Sequence, residues 1–125
     1  YAAGEVSELE HRLARYCFDK KVVYAFTLFS GAARVAPFTR YTRGWAYVMT
    51  DLQEIAEGLG WKPVPTGANF TLLRPLDEGL LNGLQDVGRE KVVSDVQLYL
   101  DLMGHRGRGE EAASFLLEQR LRPQW

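Results

Sequence analysis

The spacing of apolar positions changes several times along this 125-residue chain, and each change marks a predicted element. From residue 4 to about residue 20, Val6, Leu9, Leu13, Tyr16 and Cys17 fall on one helical face, with Glu8, Glu10, Arg12 and Arg15 around it. Residues 22–26 suit either a strand or the approach to a second helix. Residues 27–36 read as a helix that Pro37 stops. Residues 45–50 alternate by size and are rich in strand formers. Asp51 is a good N-cap for a short helix through Leu59, with Leu52, Ile55, Ala56 and Leu59 inward and Gly60 ending it. Residues 61–65 are extended, and their two prolines exclude them from a central strand. Residues 66–69 suit a turn and residues 70–74 a strand, the two extended pieces pairing antiparallel. Among residues 75–89 leucines are broken by Gly and Pro, which predicts a loop with a short helical turn.

Residues 93–121 read as helix, tight basic turn, helix. Ser94 and Gln97 have the spacing of a capping box. Val96, Tyr99, Leu100 and Met103 recur at helical spacing, with Leu98 and Leu102 widening the stripe. Gly104 and Gly107 break the helix, and Gly109 marks the entry to the next. Glu110 and Glu111 sit where a helix N-terminus favours negative charge. Ala113, Leu116, Leu117 and Leu121 form the second stripe. The order of helices, a few strands, then helices predicts one α+β domain over residues 1–125. Its helices surround a small, mostly antiparallel sheet, and it ends in a helical hairpin.

The wording of that hairpin is more particular than its periodicity requires. Ser94, Val96, Gln97, Tyr99, Asp101 and Leu102, then Arg106, Gly109, Glu110, Glu111, Ala112 and Ala113, resemble the C-terminal signature of the AbiEi family. These are the antitoxin and transcriptional-regulator components of AbiE-type (type IV) toxin–antitoxin systems. Residues 66–77 carry a second, weaker match, and residues 24–37 match loosely. The resemblance implies autoregulation of a toxin–antitoxin operon and neutralisation of a nucleotidyltransferase-like toxin, without a stable complex between the two. It also implies a DNA-binding winged helix ahead of this region, which the sequence does not show.

Composition narrows the alternatives. Net charge is −1, so bulk charge predicts no affinity for nucleic acid or anionic membrane, and any basic function must come from local clusters. The single cysteine, Cys17, has no internal partner and lies on the apolar side of a helix, which suits buried packing in a reducing, cytoplasmic compartment. No apolar run approaches the roughly 18–20 residues of a membrane span. Glu5, Glu8 and Glu10 spoil any signal peptide. The chain starts at Tyr1 rather than Met and reads as a fragment of a longer protein.

Residues 29–34 followed by residues 42–47 look like the layout of a minimal nucleotidyltransferase, a small-residue turn on a helix start and then a strand. That strand would carry an acidic pair for Mg²⁺. Trp45 and Tyr47 occupy those positions, and neither offers the oxygen ligands a hard cation needs. Metal chemistry is therefore not expected, and no cofactor is implied. His11 and His105 are the only histidines, and no His-x-x-x-His, Cys-x-x-Cys or Glu-x-x-His spacing suggests zinc. Arg34, Arg40 and Arg43, with Tyr41 and Trp45 interleaved, form one basic cluster. His105, Arg106 and Arg108 form another beside a helix N-terminus. These arginines are the expected phosphate-positioning or partner contacts. The bland alternative is a solvated turn whose arginines pair with Asp101, Glu110 or Glu111. Asp101 interrupts an apolar run, and an arginine near 106–108 is its expected partner. The terminal Trp125 suits docking on the core.

The reading that follows is a non-enzymatic antitoxin and transcriptional regulator. DNA is bound through the full-length protein, and no membrane is involved. The alternatives are an active or degenerate nucleotidyltransferase, which two carboxylates such as Asp51 and Asp77 around one Mg²⁺ would revive, and an oligomerisation module. In the last case the 93–121 hairpin would join two copies in a homodimer.

Overall fold

The computed structural model describes residues 5–37, 41–62, 69–75, 79, 83–105 and 108–124. Within them lie helices α1 (Val6–Lys20), α2 (Leu28–Val35), α3 (Leu52–Leu59), α4 (Asp95–Met103) and α5 (Gly109–Leu116). The strands are β1 (Tyr24–Phe26), β2 (Gly44–Val48), β3 (Phe70–Leu73), β4 (Gln85–Val87) and β5 (Glu90–Val92). They form one sheet in the order β3-β2-β1-β5-β4. Two pairings are antiparallel (β1 with β2, β4 with β5) and two parallel (β2 with β3, β1 with β5). The class is α+β, as expected. The sheet is mixed rather than mostly antiparallel, because β3 and β5 reach their neighbours through crossovers. The layout is compatible with a nucleotidyltransferase-like one.

Strand alternation divides the core in two. Side chains two apart on a strand share a face. Tyr24 and Phe26 of β1, Ala46 and Val48 of β2, and Phe70 and Leu72 of β3 pack against α1 and α3. Ala25, Trp45 and Tyr47 point to the other face, against α2, α4 and α5. Phe26 and Phe70 are fully buried. Truncating either to Ala would cost about 3–5 kcal/mol.

Local signals act as expected at several ends. The Asp51 carboxylate accepts the backbone N–H of Gln53 at 2.8 Å and starts α3, and Gly60 ends it. Ser94 Oγ accepts the N–H of Gln97 at 3.2 Å and starts α4. The Gln97 amide does not return to the cap. It donates forward to Asp101 at 2.9 Å. Gly109 lets α5 start against the end of α4, since a Cβ there would overlap the Leu102 carbonyl.

Four expectations change. First, β4 lies within residues 75–89, where the sequence predicts a loop with a short helical turn, and β5 follows over residues to which no element is assigned. Each strand is only three residues long, and the two-residue turn Gly88-Arg89 joins them, with Gly88 at φ 65° as such hairpins require. Second, the buried face of α4 is Leu98 and Leu102, whereas Val96 (59% exposed) and Leu100 (58%) face solvent with Met103. Apolar residues almost surround this helix, so periodicity alone does not choose its inner face. Third, Glu10 is buried within α1 rather than on its solvated flank. Fourth, residues 117–121 leave α-helical geometry for a π-helical turn, in which Arg120 ties the chain end to Asp95 (3.3 Å) and Gln85 (3.0 Å). The antiparallel pair expected between residues 61–65 and 70–74 falls largely outside the described residues, as does Trp125.

Candidate functional site

Of the five expected arginines, Arg34, Arg43 and Arg108 lie among the described residues, and they are placed differently. Arg34, on the last turn of α2, points inward. It donates to Glu90 at 3.0 and 3.2 Å, to Glu10 at 3.3 Å and to the Ser30 carbonyl at 2.9 Å. Its guanidinium lies 4.1 Å from the centroid of the Phe26 ring. Burial acts to lower its pKa, but the Glu90 hydrogen bond and the Glu10 and Glu90 charges outweigh it and leave the pKa raised. Glu10 is 2% exposed, and Tyr41 Oη lies 3.0 and 2.9 Å from its two oxygens. Arg34 thus neutralises a carboxylate that would be costly to bury alone. The guanidinium expected to contact phosphate is here engaged by two carboxylates of the fold.

Arg43 is exposed just ahead of β2. Arg108 precedes α5, and its side chain pairs with Glu111 at 3.2 Å, both partners being well exposed. This is the pairing that the bland reading expected. Arg40 and Arg106 lie outside the described residues.

The other face of the sheet holds a second polar centre, at the strand where an acidic pair would sit. Trp45 and Tyr47 project from β2 toward α4 and are half-buried. Tyr47 Oη donates to Asp101 at 3.0 Å, and Thr27 Oγ1 donates to the same oxygen at 2.5 Å. The other oxygen takes the Gln97 amide. Burial and the Asp101 charge both push the Tyr47 phenol well above its usual range. Among the described residues Asp101 therefore takes neutral donors, and Arg108, one of the arginines expected to pair with it, turns to Glu111 instead. Three elements converge here because Asp101 lies one turn after Gln97 on α4, while Thr27 ends the segment after β1. Leu28, next to Thr27, has φ 52°, an unfavourable value for a branched side chain. Ser30 Oγ accepts the Trp45 N–H at 3.0 Å and locks α2 to β2. Phe29, Trp45 and His105 pack beside this centre, with ring centroids 5.0–6.1 Å apart.

A hard divalent cation requires several oxygen ligands. Among the described residues no three His, Cys, Asp or Glu side chains are placed to hold a metal ion. Asp51 caps α3, and Asp77 lies outside the described residues.

A family model described as transcriptional regulator, AbiEi antitoxin, of type IV toxin–antitoxin systems matches residues 5–122. The chain belongs to the AbiEi family. No curated protein and no solved structure matches it. In this AbiEi chain several of the residues that carry the hairpin's resemblance have structural tasks. Ser94 caps α4, Asp101 accepts from Thr27 and Tyr47, and Gln97 donates to the other Asp101 oxygen. Leu102, Ala112 and Ala113 are core.

Sequence reasoning missed Glu10, Thr27, Tyr41 and Glu90 as members of these networks. Only Glu10 gave a usable signal, since its position on α1 lies beside the apolar stripe of Leu9 and Leu13. The others meet their partners across 31 to 74 residues of chain.

Proposed function

We propose that this chain is a non-catalytic domain of an antitoxin that also regulates transcription of its operon. The observation that carries the reading is the Trp45–Tyr47–Asp101 arrangement on β2 and α4. An enzyme of the nucleotidyltransferase type needs acidic ligands on that strand. Here the strand offers an indole and a phenol, and the phenol serves a structural carboxylate. In this reading the domain spans residues 1–125 of a longer, cytoplasmic protein, in which a preceding winged helix provides operator contact. Arg43 adds phosphate contacts, with Arg40, Arg106 and Arg108 as further donors. The domain opposes a nucleotidyltransferase-like toxin.

The test is binding of the chain to operator duplex across a salt series, beside an Arg40→Ala/Arg43→Ala variant. A steep loss with salt, diminished in the variant, would place phosphate contacts in this domain. No binding at low salt would leave operator contact to the rest of the protein. Growth rescue of toxin-expressing cells by the chain would then measure antitoxin action directly. Transfer of labelled nucleotide by the chain with Mg²⁺ would overturn the non-catalytic reading.

A second reading has its own observation. Val96, Leu100 and Met103 form an exposed, uncharged stripe along α4, which favours self-association through the hairpin. A mass that rises with concentration and falls to the monomer in Leu100→Glu would support a homodimer.

A further inference from the structure

The two faces of the sheet are packed with unequal material. Among the described residues, the buried cluster on the α1 and α3 face has fourteen members, of which three are alanines and four are the rings of Tyr24, Phe26, Trp61 and Phe70. On the face of α2, α4 and α5, five of the ten buried members are alanines, namely Ala25, Ala32, Ala36, Ala112 and Ala113. Rings on this second face, such as Phe29, Trp45 and Tyr47, are only half-buried. Stabilisation by burial scales with the apolar area removed from water, so this face holds its helices less firmly. We propose that the α4–α5 hairpin opens from the sheet as a unit while the rest of the domain stays folded, with residues 93–94 as hinge and the Asp101 clasp as latch.

The polar ties are arranged for such a motion. On the same face, α2 is fastened to the sheet by charge, through Arg34 and Glu90 of β5, and by Ser30 Oγ, which takes the Trp45 N–H. The start of α4 is fastened beside the hinge. There the Gln85 amide donates to Asp95 at 2.8 Å and to the Val93 carbonyl at 3.0 Å, and Arg120 donates to the Gln85 oxygen at 3.0 Å. The far half of α4 is held to the sheet by Asp101, through the hydroxyls of Thr27 and Tyr47. Asp101 is half-buried, so water can take over these bonds as the hairpin lifts.

Leu28 supplies a further observation. It enters α2 at φ 52°, and its side chain is buried in the cluster that the hairpin closes. A leucine keeps such a conformation only while its surroundings impose it. Its neighbour Thr27 is held by Asp101, so release of the latch also frees the strained junction, which offsets part of the cost of opening. Opening uncovers the Trp45 and Tyr47 face of β2. The proposal does not depend on operator binding by the chain.

The experiment is native-state hydrogen exchange of the chain, followed amide by amide by NMR through a series of low urea concentrations. The amides of Leu98, Leu102, Ala113 and Leu116 should exchange at least roughly tenfold faster than those of Leu13, Cys17 and Ala46. They should also share one urea dependence, shallower than that of global unfolding, because opening exposes only part of the buried surface. Asp101→Ala should speed the hairpin set roughly tenfold and leave the Leu13 set unchanged. Asp101→Asn, which keeps a hydrogen-bonding side chain, should speed it less. The proposal is overturned if the hairpin amides of the parent chain exchange as slowly as those of α1, a result that needs no variant to fold. It is overturned equally if Asp101→Ala speeds both sets alike. Separate urea dependences for the individual hairpin amides would mean fraying rather than opening about a hinge, and would overturn it too.

Discussion

Glu10 and Asp101 sit on helices against opposite faces of one sheet, and different chemistry holds each. Glu10 is fully buried and faces a guanidinium, which Glu90 also grips. Asp101 is half-buried and faces two hydroxyls and an amide. A fully desolvated carboxylate needs an opposite charge, whereas one that keeps some contact with water can be held by neutral donors. The Glu10 centre is thus an ion-pair anchor joining α1, α2, Tyr41 and β5. The Asp101 centre is a hydrogen-bonded clasp joining the start of α2, β2 and α4.

Breaking the anchor should have the largest effect. Arg34→Ala leaves Glu10 charged and buried without its partner, and should cost about 3–5 kcal/mol in urea unfolding. Arg34→Lys should recover little, because one ammonium cannot reproduce the fork to Glu90 and Glu10 or the stacking on Phe26. A loss below about 1 kcal/mol for the Ala variant would put the anchor in the class of surface pairs.

Breaking the clasp should cost less. Asp101→Ala strips the acceptor from the buried Thr27 hydroxyl and from Tyr47, a loss of about 1–3 kcal/mol. Asp101→Asn should cost less still, since hydroxyls can turn to accept from an amide. If Asp101→Ala unfolded at the same urea concentration as the parent, the clasp would contribute no stability.

Alkaline pH should sharpen the contrast. Burial pushes Cys17 from 9.0 up to about 12, and burial with the Glu10 charge lifts Tyr41 from 10.0 to about 12. Both groups have pKa values raised by folding. Their neutral forms therefore stabilise the fold fully below the unfolded values, and the contribution is lost as pH climbs through the folded ones. The urea midpoint should fall between pH 9 and 12, and Tyr41→Phe should flatten that fall. Tyr47→Phe should flatten it as well, which a titration of tyrosinate absorbance can separate.

The smallest effect is expected at Arg108→Ala. Its pair with Glu111 is exposed on both sides, so the unfolding midpoint should move by less than about 0.5 kcal/mol equivalent. A larger change would show that Arg108 fixes the hairpin turn.

Legibility follows the range of the interactions. The first and third helices, the strand at Trp45 and the cap residues Asp51 and Ser94 were readable, because each depends on a period or a spacing of three or four residues. The β4–β5 hairpin was not, since three-residue strands hold too few positions for a period, although Gly88-Arg89 was the turn signal available. The candidate site was the least legible part. Arg34 looks like any surface arginine in sequence, and nothing local announces Glu10 and Glu90 as its partners.

The chain's own wording determined its α+β class, the ends of its helices, the burial of Cys17 and its membership of the AbiEi family. Those properties reside in local spacing and in residue identity. Tertiary structure alone decided which face of α4 turns inward, whether each charge is buried or solvated, and that Asp101 meets Thr27 and Tyr47. Each of these depends on which distant segment arrives opposite, and the desolvation of a charge is set by those neighbours rather than by its place in the chain.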